Sequence, residues 1–446
     1  LRRLLSSARI PAQHFSNFLP LPESGRRLLA YHRQMRVIRR VLFALVLIAW
    51  TSPAVAQDWA QWRGPQRDGS VPPSALPEMF PSGAKPAWRV EIGEGYSSPV
   101  MAGTHVFVHS RRDPDELVTA LDVASGKVLW QQSYAAPFAK NQYAVRMAKG
   151  PNSTPLVVNG IVYTLGVTGV LSAWRVNDGA LAWRKDYSSM VDTSKLFCGT
   201  AISPLFESGS IIIQVGSDVH GGQIIALDPA SGTSRWTWKG PGPGYASPIA
   251  LTASGVRQIV TMTNQSIVGV DAGTGAALWS VAFPDEWHEN IITPLWTGTH
   301  LIVSGVRQGT QAYTLSQSGG TWRAAQTWKN GEVTMYMSPP VVADGVVYGF
   351  SNRRKGQFVA LDASTGATRW STEGREGEHA SVLVSPKHIL FLTNGGDLVA
   401  IRRGASAYAE ERRIEVASGE SWAVPVFVPG GMVVRDAQSL TLLRWN

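Results

Sequence analysis

Eleven residues, Ala120-Leu-Asp-Val-Ala-Ser-Gly-Lys-Val-Leu-Trp130, return along this 446-residue chain in near-copies, and that recurrence narrows the available folds more than any other feature. Ala226 to Trp236 and Ala360 to Trp370 keep the Ala, Asp, Gly and Trp at the same offsets. Gly269 to Trp279 keeps all but the Ala, and Ala173 to Trp183 is a weaker copy with Arg175 where the Asp would be. Each residue type has a physical task. A strand runs into the Asp, whose carboxylate can bond amides two residues on; the Gly takes the φ > 0 position of the turn; the chain then reverses into a strand carrying the Trp. The unit is a hairpin. A Trp at one fixed place per copy suits packing between neighbouring sheets, with the small Ala or Gly leaving room for the ring. Ala120, Asp122, Gly126 and Trp130 are therefore structural candidates, together with Trp183, Trp236, Trp279, Trp328 and Trp370.

The rest of the body is a succession of short apolar runs bounded by turns, which reads as all-β. One series, from Val106-Phe-Val through Ile161-Val-Tyr, Ile211-Ile-Ile, Ile259-Val-Thr, Leu301-Ile-Val, Val346-Val-Tyr and Ile389-Leu-Phe to Met432-Val-Val, recurs eight times at intervals of 42 to 55 residues. Ahead of these runs lie Ser98-Pro99, Thr154-Pro155, Ser203-Pro204, Ser247-Pro248, Thr293-Pro294, Ser338-Pro339 and Val424-Pro425, with the missing eighth near Ser381. Proline is tolerated at the start of a strand because its absent amide need not break the ladder there. A third strand enters each turn and a fourth carries the Trp. Four strands in about 45 residues is the period of a β-propeller blade. The eighth unit has only three strands before Asn446, while Ala87-Trp-Arg-Val-Glu-Ile92 is a fourth strand with no unit of its own. The reading is an eight-bladed β-propeller of four-stranded antiparallel blades, with Trp88 to Ile92 completing the last one and removing an open sheet edge.

The formal charge of +9 resembles a nucleic-acid signal until it is located: residues 1–56 hold nine Arg and one Glu, so the body is close to neutral. No nucleic-acid surface is expected. Met35-Arg-Val-Ile-Arg-Arg40, the apolar run Val41 to Trp50, and Ala54-Val-Ala56 before Gln57 have the order of a secretory signal. The apolar run falls short of the roughly 20 residues needed to span a bilayer. The organisation expected is therefore an untranslated or disordered extension at 1–34, a signal peptide at 35–56, an arm at 57–85 holding Trp59 and Trp62 against the body, and the propeller at 86–446. The mature chain is expected to be a soluble, monomeric protein of the periplasm or cell exterior. The single cysteine, Cys198, permits no intramolecular disulfide and reads as a small buried hydrophobe.

In its repeats the chain resembles the quinoprotein-type family of pyrroloquinoline-quinone-like propellers. That family's tryptophan-docking motif is Ala-x-Asp-x-x-x-Gly-Lys-x-x-Trp, which Ala120, Asp122, Gly126, Lys127 and Trp130 match in full. The resemblance covers residues 58–446, including the Gln61-Trp-Arg-Gly-Pro65 arm. It implies one of two roles. Quinone-dependent alcohol dehydrogenases hold pyrroloquinoline quinone and Ca²⁺ in the central funnel, commonly under a disulfide of adjacent cysteines, which this chain cannot form. The assembly scaffold of the outer-membrane β-barrel insertion machine is an eight-bladed propeller without catalysis, but a lipoprotein, and no cysteine follows the apolar leader segment here.

The same resemblance implies that the loops leading into the innermost strands gather at one channel mouth, which makes Glu94, Tyr96, Lys149, Asn152, Tyr245, His288, Glu289, Asn290, Tyr336, Glu378, His379 and Trp422 candidates for ligand binding, along with Phe197 and Cys198. Glu286-Trp-His-Glu-Asn290 contains metal-ligating types, but neighbouring side chains point different ways, so no metal site is assigned. His288 facing His379 across the channel, and a glycosidase-like pairing of Glu289 with Glu378, are further arrangements to be tested. No catalytic motif is present: Gly93-Glu-Gly95 lacks the helix a dinucleotide loop requires, and no Gly-x-Ser-x-Gly or His-Glu-x-x-His occurs. The expected role is non-catalytic binding of a protein or small molecule at the propeller face, without a cofactor. The alternative is a dehydrogenase of alcohols or sugars that uses pyrroloquinoline quinone with Ca²⁺.

Overall fold

A computed structural model describes residues 58–144, 146, 148–192 and 196–446. The expected leader and cleavage site lie outside the described residues. The innermost strands Val100–Ala102, Leu156–Val158, Leu205–Glu207, Ile249–Ala253, Leu295–Trp296, Val341–Ala343, Ala380–Val384 and Val426–Val428 number blades 1 to 8 in chain order. Each begins a four-stranded antiparallel sheet, and the eight sheets form a β-propeller with almost no helix among the described residues. Blade 8 is completed by Ala84–Glu91, which pairs with the final strand Ser439–Trp445 in a register that sets Trp88 opposite Leu442 and Val90 opposite Leu440.

The turns show why these sequences make hairpins. Asp122 Oδ1 accepts the amide of Ser125 at 2.9 Å and its hydroxyl at 2.6 Å, while Gly126 adopts φ +71° and returns its N–H to the Asp122 carbonyl at 2.8 Å. Asp228, Asp271 and Asp362 repeat this arrangement. In the weaker copy the carboxylate comes from Asp178, which accepts the Ala180 amide and pairs with Arg175 at 3.0 Å. A local substitute thus keeps the turn when the usual Asp is missing.

Blades are joined by the tryptophans. Trp130 lies opposite Ala120 in its own sheet and donates its indole N–H to the Val176 carbonyl of blade 2 at 2.7 Å. Trp183, Trp236 and Trp328 do the same to Pro229, Ala272 and Ala363, and Trp370 reaches Ala405 at 3.4 Å. Each of the first four rings covers the turn glycine of the next blade, and a Cβ on Gly179 would stand 2.6 Å from the Trp130 ring. Trp279 differs. Its indole bonds Gln258 of its own blade at 2.7 Å, because the neighbouring turn of blade 5, Ser316 to Gly320, has no Asp–Gly notch and joins two ten-residue strands instead. In that blade Trp328 occupies the position opposite the small Ala312, while Trp322 sits near the hairpin tip opposite Gln317. Blade 7 has no tryptophan there: exposed Arg412 stands opposite Ala400 at the corresponding place, and Ile414, two residues on, is buried opposite Leu398. The apolar core is accordingly a series of wedges between adjacent sheets; one joins blades 4 and 5, another blades 6 and 7.

A second ring of contacts surrounds the channel. The Ser or Thr that precedes each strand-initiating proline accepts an amide from a neighbouring blade: Ser98 N–H to Thr154 at 3.1 Å, Thr154 N–H to Ser203 at 3.0 Å, Ser203 N–H to Ser247 at 2.9 Å and Ser247 N–H to Thr293 at 3.1 Å. The same link joins blades 8 and 1, where Val424 N–H meets Ser98 Oγ at 2.9 Å, and blades 7 and 6, where Ala380 N–H meets Ser338 Oγ at 3.1 Å. At the sheet centres, where strand ladders cannot run between blades, these hydroxyls satisfy amides that would otherwise be buried without partners.

Candidate functional site

One end of the channel is shut by the segment from Asp58 to Ala75. Trp59 exchanges two 2.9 Å backbone bonds with Met101 of blade 1, and Ala60 accepts the Val157 amide of blade 2. Arg67 donates to the carbonyls of Ser203 and Pro204 in blade 3, at 3.1 and 2.7 Å, and Arg63 to Pro340 of blade 6 at 2.6 Å. Gly69 and Val71 pair with Val384 of blade 7, and Ala75 accepts the Trp445 indole of blade 8. Two buried guanidiniums thus act as spokes held by carbonyls rather than by carboxylates, with Arg67 Nε left without a partner. Trp59 is completely buried, and half-buried Trp62 lies between the Arg63 and Arg67 guanidiniums at 5.7 and 5.6 Å.

The channel is therefore a blind funnel of about 350 Å³, floored by Trp62 and Arg63 and lined by all eight blades. Of the mouth residues expected from sequence, Tyr96, Asn152, Tyr245, Glu289, Tyr336, His379 and Trp422 line it, as do Phe197 and Cys198. Two tyrosine hydroxyls are tied to neighbouring loops: Tyr96 accepts the Ala148 amide at 2.9 Å and Tyr245 the Cys198 amide at 3.3 Å, while Tyr336 lies where it interacts with the Glu289 carboxyl. All three tyrosines line the lumen. On the opposite side His379 stacks on Trp422 at 5.0 Å, and Trp422 meets Tyr96 at 5.5 Å.

Burial decides the charge states. Desolvation pushes the Cys198 thiol up to about 11 with help from Glu289, and pulls His379 down to about 4, so His379 is neutral near pH 7. It bonds Ser338 Oγ through Nδ1 at 2.9 Å, and its Nε2 and the Trp422 Nε1 have no partner. Desolvation raises the Glu289 carboxyl from its ordinary value, with nearby Tyr336 opposing the shift. Cys198 is half-buried on the funnel wall rather than in a core, a position set by the loop between blades that sequence pattern does not encode.

The remaining candidates stand elsewhere. Glu94 and Glu378 are exposed and do not line the funnel, and Lys149 pairs with Asp113. In the 285–290 loop, Asp285 Oδ1 accepts the amides of Trp287 and Glu289 at 3.0 Å, and His288 takes φ +61°, reversing the chain. Consequently Glu286 turns out to Arg307 and His288 to Asp218 at 3.1 Å, while Asn290 is buried on the carbonyls of Thr263 and Phe283; Glu289 alone of these lines the funnel. The arrangement brings together neither a His288–His379 pair nor a Glu289–Glu378 pair in the funnel. Sequence reasoning did not place Trp62, Arg63 and Tyr143 in the lining. The two Trp in five residues were the available signal for the floor, whereas Tyr143 carried none.

Pyrroloquinoline quinone is a flat tricarboxylate, and this lining is a poor match for it. Arg63 is the only lining Arg or Lys, and its guanidinium already serves Pro340 and the Asp68 carbonyl; Glu289 would oppose the ligand. Among the described residues no three His, Cys, Asp or Glu side chains are grouped to hold a metal, and the single thiol cannot form a disulfide platform.

A ring of eight four-stranded sheets around a channel closed at one end defines an eight-bladed β-propeller. A sequence model described as "Outer membrane protein assembly factor BamB" matches residues 79–146, 114–372 and 263–423, and the chain belongs to that family. It is 24% identical over 369 residues to outer membrane protein assembly factor BamB of Yersinia pestis, an alignment covering 80% of this chain and 77% of the relative. The solved structure of BamB from Moraxella catarrhalis superposes with a TM-score of 0.57 at 15% identity, covering 81% of this chain and 98% of the other. Quinohemoprotein alcohol dehydrogenase from Comamonas testosteroni gives 0.61 at 14% identity, covering 88% and 81%. At these identities the two structures share the fold.

Proposed function

We propose that this chain is a non-catalytic scaffold of the cell envelope that takes part in outer-membrane protein assembly and uses its funnel mouth to bind a protein segment or small ligand. Family membership indicates the process, and the leader-like stretch Met35 to Ala56 indicates export to the periplasm or beyond. The observation that carries the non-catalytic reading is the funnel wall: aromatic rings, one carboxyl, a neutral histidine and a thiol held protonated, with neither an activated nucleophile nor the cations a tricarboxylate quinone requires.

The test has two arms. Removing the gene from its host should lower the β-barrel proteins recovered in the outer membrane, and the tagged full chain should retain a component of the barrel-insertion machine after envelope solubilisation. Purified protein supplied with pyrroloquinoline quinone and CaCl₂ should reduce no dye with alcohols or sugars. Turnover in the second arm with unchanged outer-membrane composition in the first overturns the reading.

A further inference from the structure

The funnel wall holds one acid without a matching base. Glu289 lines the lumen near Tyr336, while Arg307, whose field reaches it, is already paired with Glu286 at 2.6 Å. Arg63, on the floor, is engaged by the Pro340 and Asp68 carbonyls at 2.6 and 3.3 Å. Burial raises the carboxyl from its ordinary value, Tyr336 and Arg307 opposing the shift and Asp285 adding to it. Around it the rings of Tyr96, Tyr245, Tyr336 and Trp422 supply aromatic surface to the lining, and the Tyr96 and Tyr245 hydroxyls are engaged by backbone amides of the wall. Such surfaces attract cations, and most strongly those alkylated ammonium groups that lose little on leaving water.

We propose that the funnel is a receptor site for an alkylated ammonium group, enclosed by the rings of Tyr96, Tyr245, Tyr336 and Trp422 with Glu289 as its counter-charge. The assignment rests on the reading of the funnel as a binding site and names the chemistry it takes. An anion meets the wrong charge at Glu289, and a neutral polyol leaves that carboxyl without a partner, whereas an ammonium group satisfies both the acid and the rings. The cavity of about 350 Å³ suits a small ligand head.

Choline and its neutral carbon isostere 3,3-dimethylbutan-1-ol provide the test, with binding to the full chain read by calorimetry and by tryptophan fluorescence. Choline should bind at least about tenfold more tightly than the isostere. Glu289→Gln should weaken choline by about tenfold and leave the isostere unchanged. Trp422→Leu, which removes a ring and no charge, should weaken choline several-fold, and thermal melting of both variants checks that they fold. N-acetyl-lysine amide identifies the source: tighter binding than choline assigns the ammonium to a partner protein's lysine, weaker binding to a small molecule. Equal affinity for choline and isostere, insensitivity to Glu289→Gln in a folded variant, or no choline binding up to about 10 mM overturns the proposal. Binding of the isostere alone would keep the funnel as a site while sinking the cation assignment. Loss of barrel proteins on gene removal is read independently of either result.

Discussion

The indole N–H of Trp88 donates to the Val123 carbonyl at 3.0 Å, and a Cβ on Gly126 would lie 2.7 Å from the Trp88 ring. The strand that precedes blade 1 in sequence therefore makes, on the turn of blade 1, the contact that Trp130 makes on Val176 and Gly179 one blade further on. The closing seam of the ring is built like the internal ones, so the two chain ends need no special interface.

That equivalence sets the first prediction. Trp130→Ala empties a space between blades and should destabilise by about 3–5 kcal/mol, measured by urea denaturation. Gly179→Ala should cost about 1–3 kcal/mol, since it adds a Cβ against the Trp130 ring at φ +68°. A loss below about 1 kcal/mol for Trp130→Ala would contradict the packing role.

Acid should destabilise the protein in two separable legs. Burial pulls His379 down to about 4, so between its unfolded value near 6.5 and 4 the unfolded chain binds the proton first, and stability falls as pH drops through that window. Asp228 is held at about 2, chiefly by Arg235 and then by Ser231; its contribution is complete above the ordinary Asp value of about 3.9 and is lost as pH falls through 2. Asp362 is depressed in the same direction by Ser364 and Arg369. Urea midpoints against pH should show both legs. His379→Phe should flatten the upper one and Asp228→Asn should shrink the lower.

The channel floor depends on its arginine spokes. Arg67→Ala removes two charge-assisted bonds and leaves the Ser203 and Pro204 carbonyls unserved, at a cost of about 2 kcal/mol. Limited proteolysis of that variant should cut between Asp58 and Ala75 before the ring melts. Protection equal to that of the unmodified protein would show that the spokes do not hold the segment.

Cys198 should react slowly with iodoacetamide at pH 7 despite lining an open funnel, because its thiol is pushed up to about 11. The alkylation rate should keep rising with pH beyond the ordinary thiol range. A rate that levels off near pH 8–9 would mean that neither burial nor Glu289 acts on it.

Blade number, strand order, the place of each tryptophan and the need for a closing strand were all legible along the chain. These follow from local periodicity: an Asp, a turn Gly and a Trp at fixed offsets describe a hairpin wherever they occur, and Trp328 could be chosen over Trp322 by spacing alone. Trp279 shows where that legibility ends, since its partner depends on the turn of the next blade, and the long hairpin there removed the notch.

The site divides along the same line. The family resemblance carried by the repeats pointed to the loops ahead of the innermost strands as those that meet at the mouth, and nine of the residues named there line the funnel. Tertiary structure alone decided that Glu289 points inward while His288 and Asn290 next to it do not, that Lys149 is engaged by Asp113, and that the segment around Arg63 and Arg67 seals the other end. Repeat spacing records what each blade does for itself. The direction of a loop side chain, and the carbonyls that a distant arginine finds, depend on groups from other blades, which no local pattern contains.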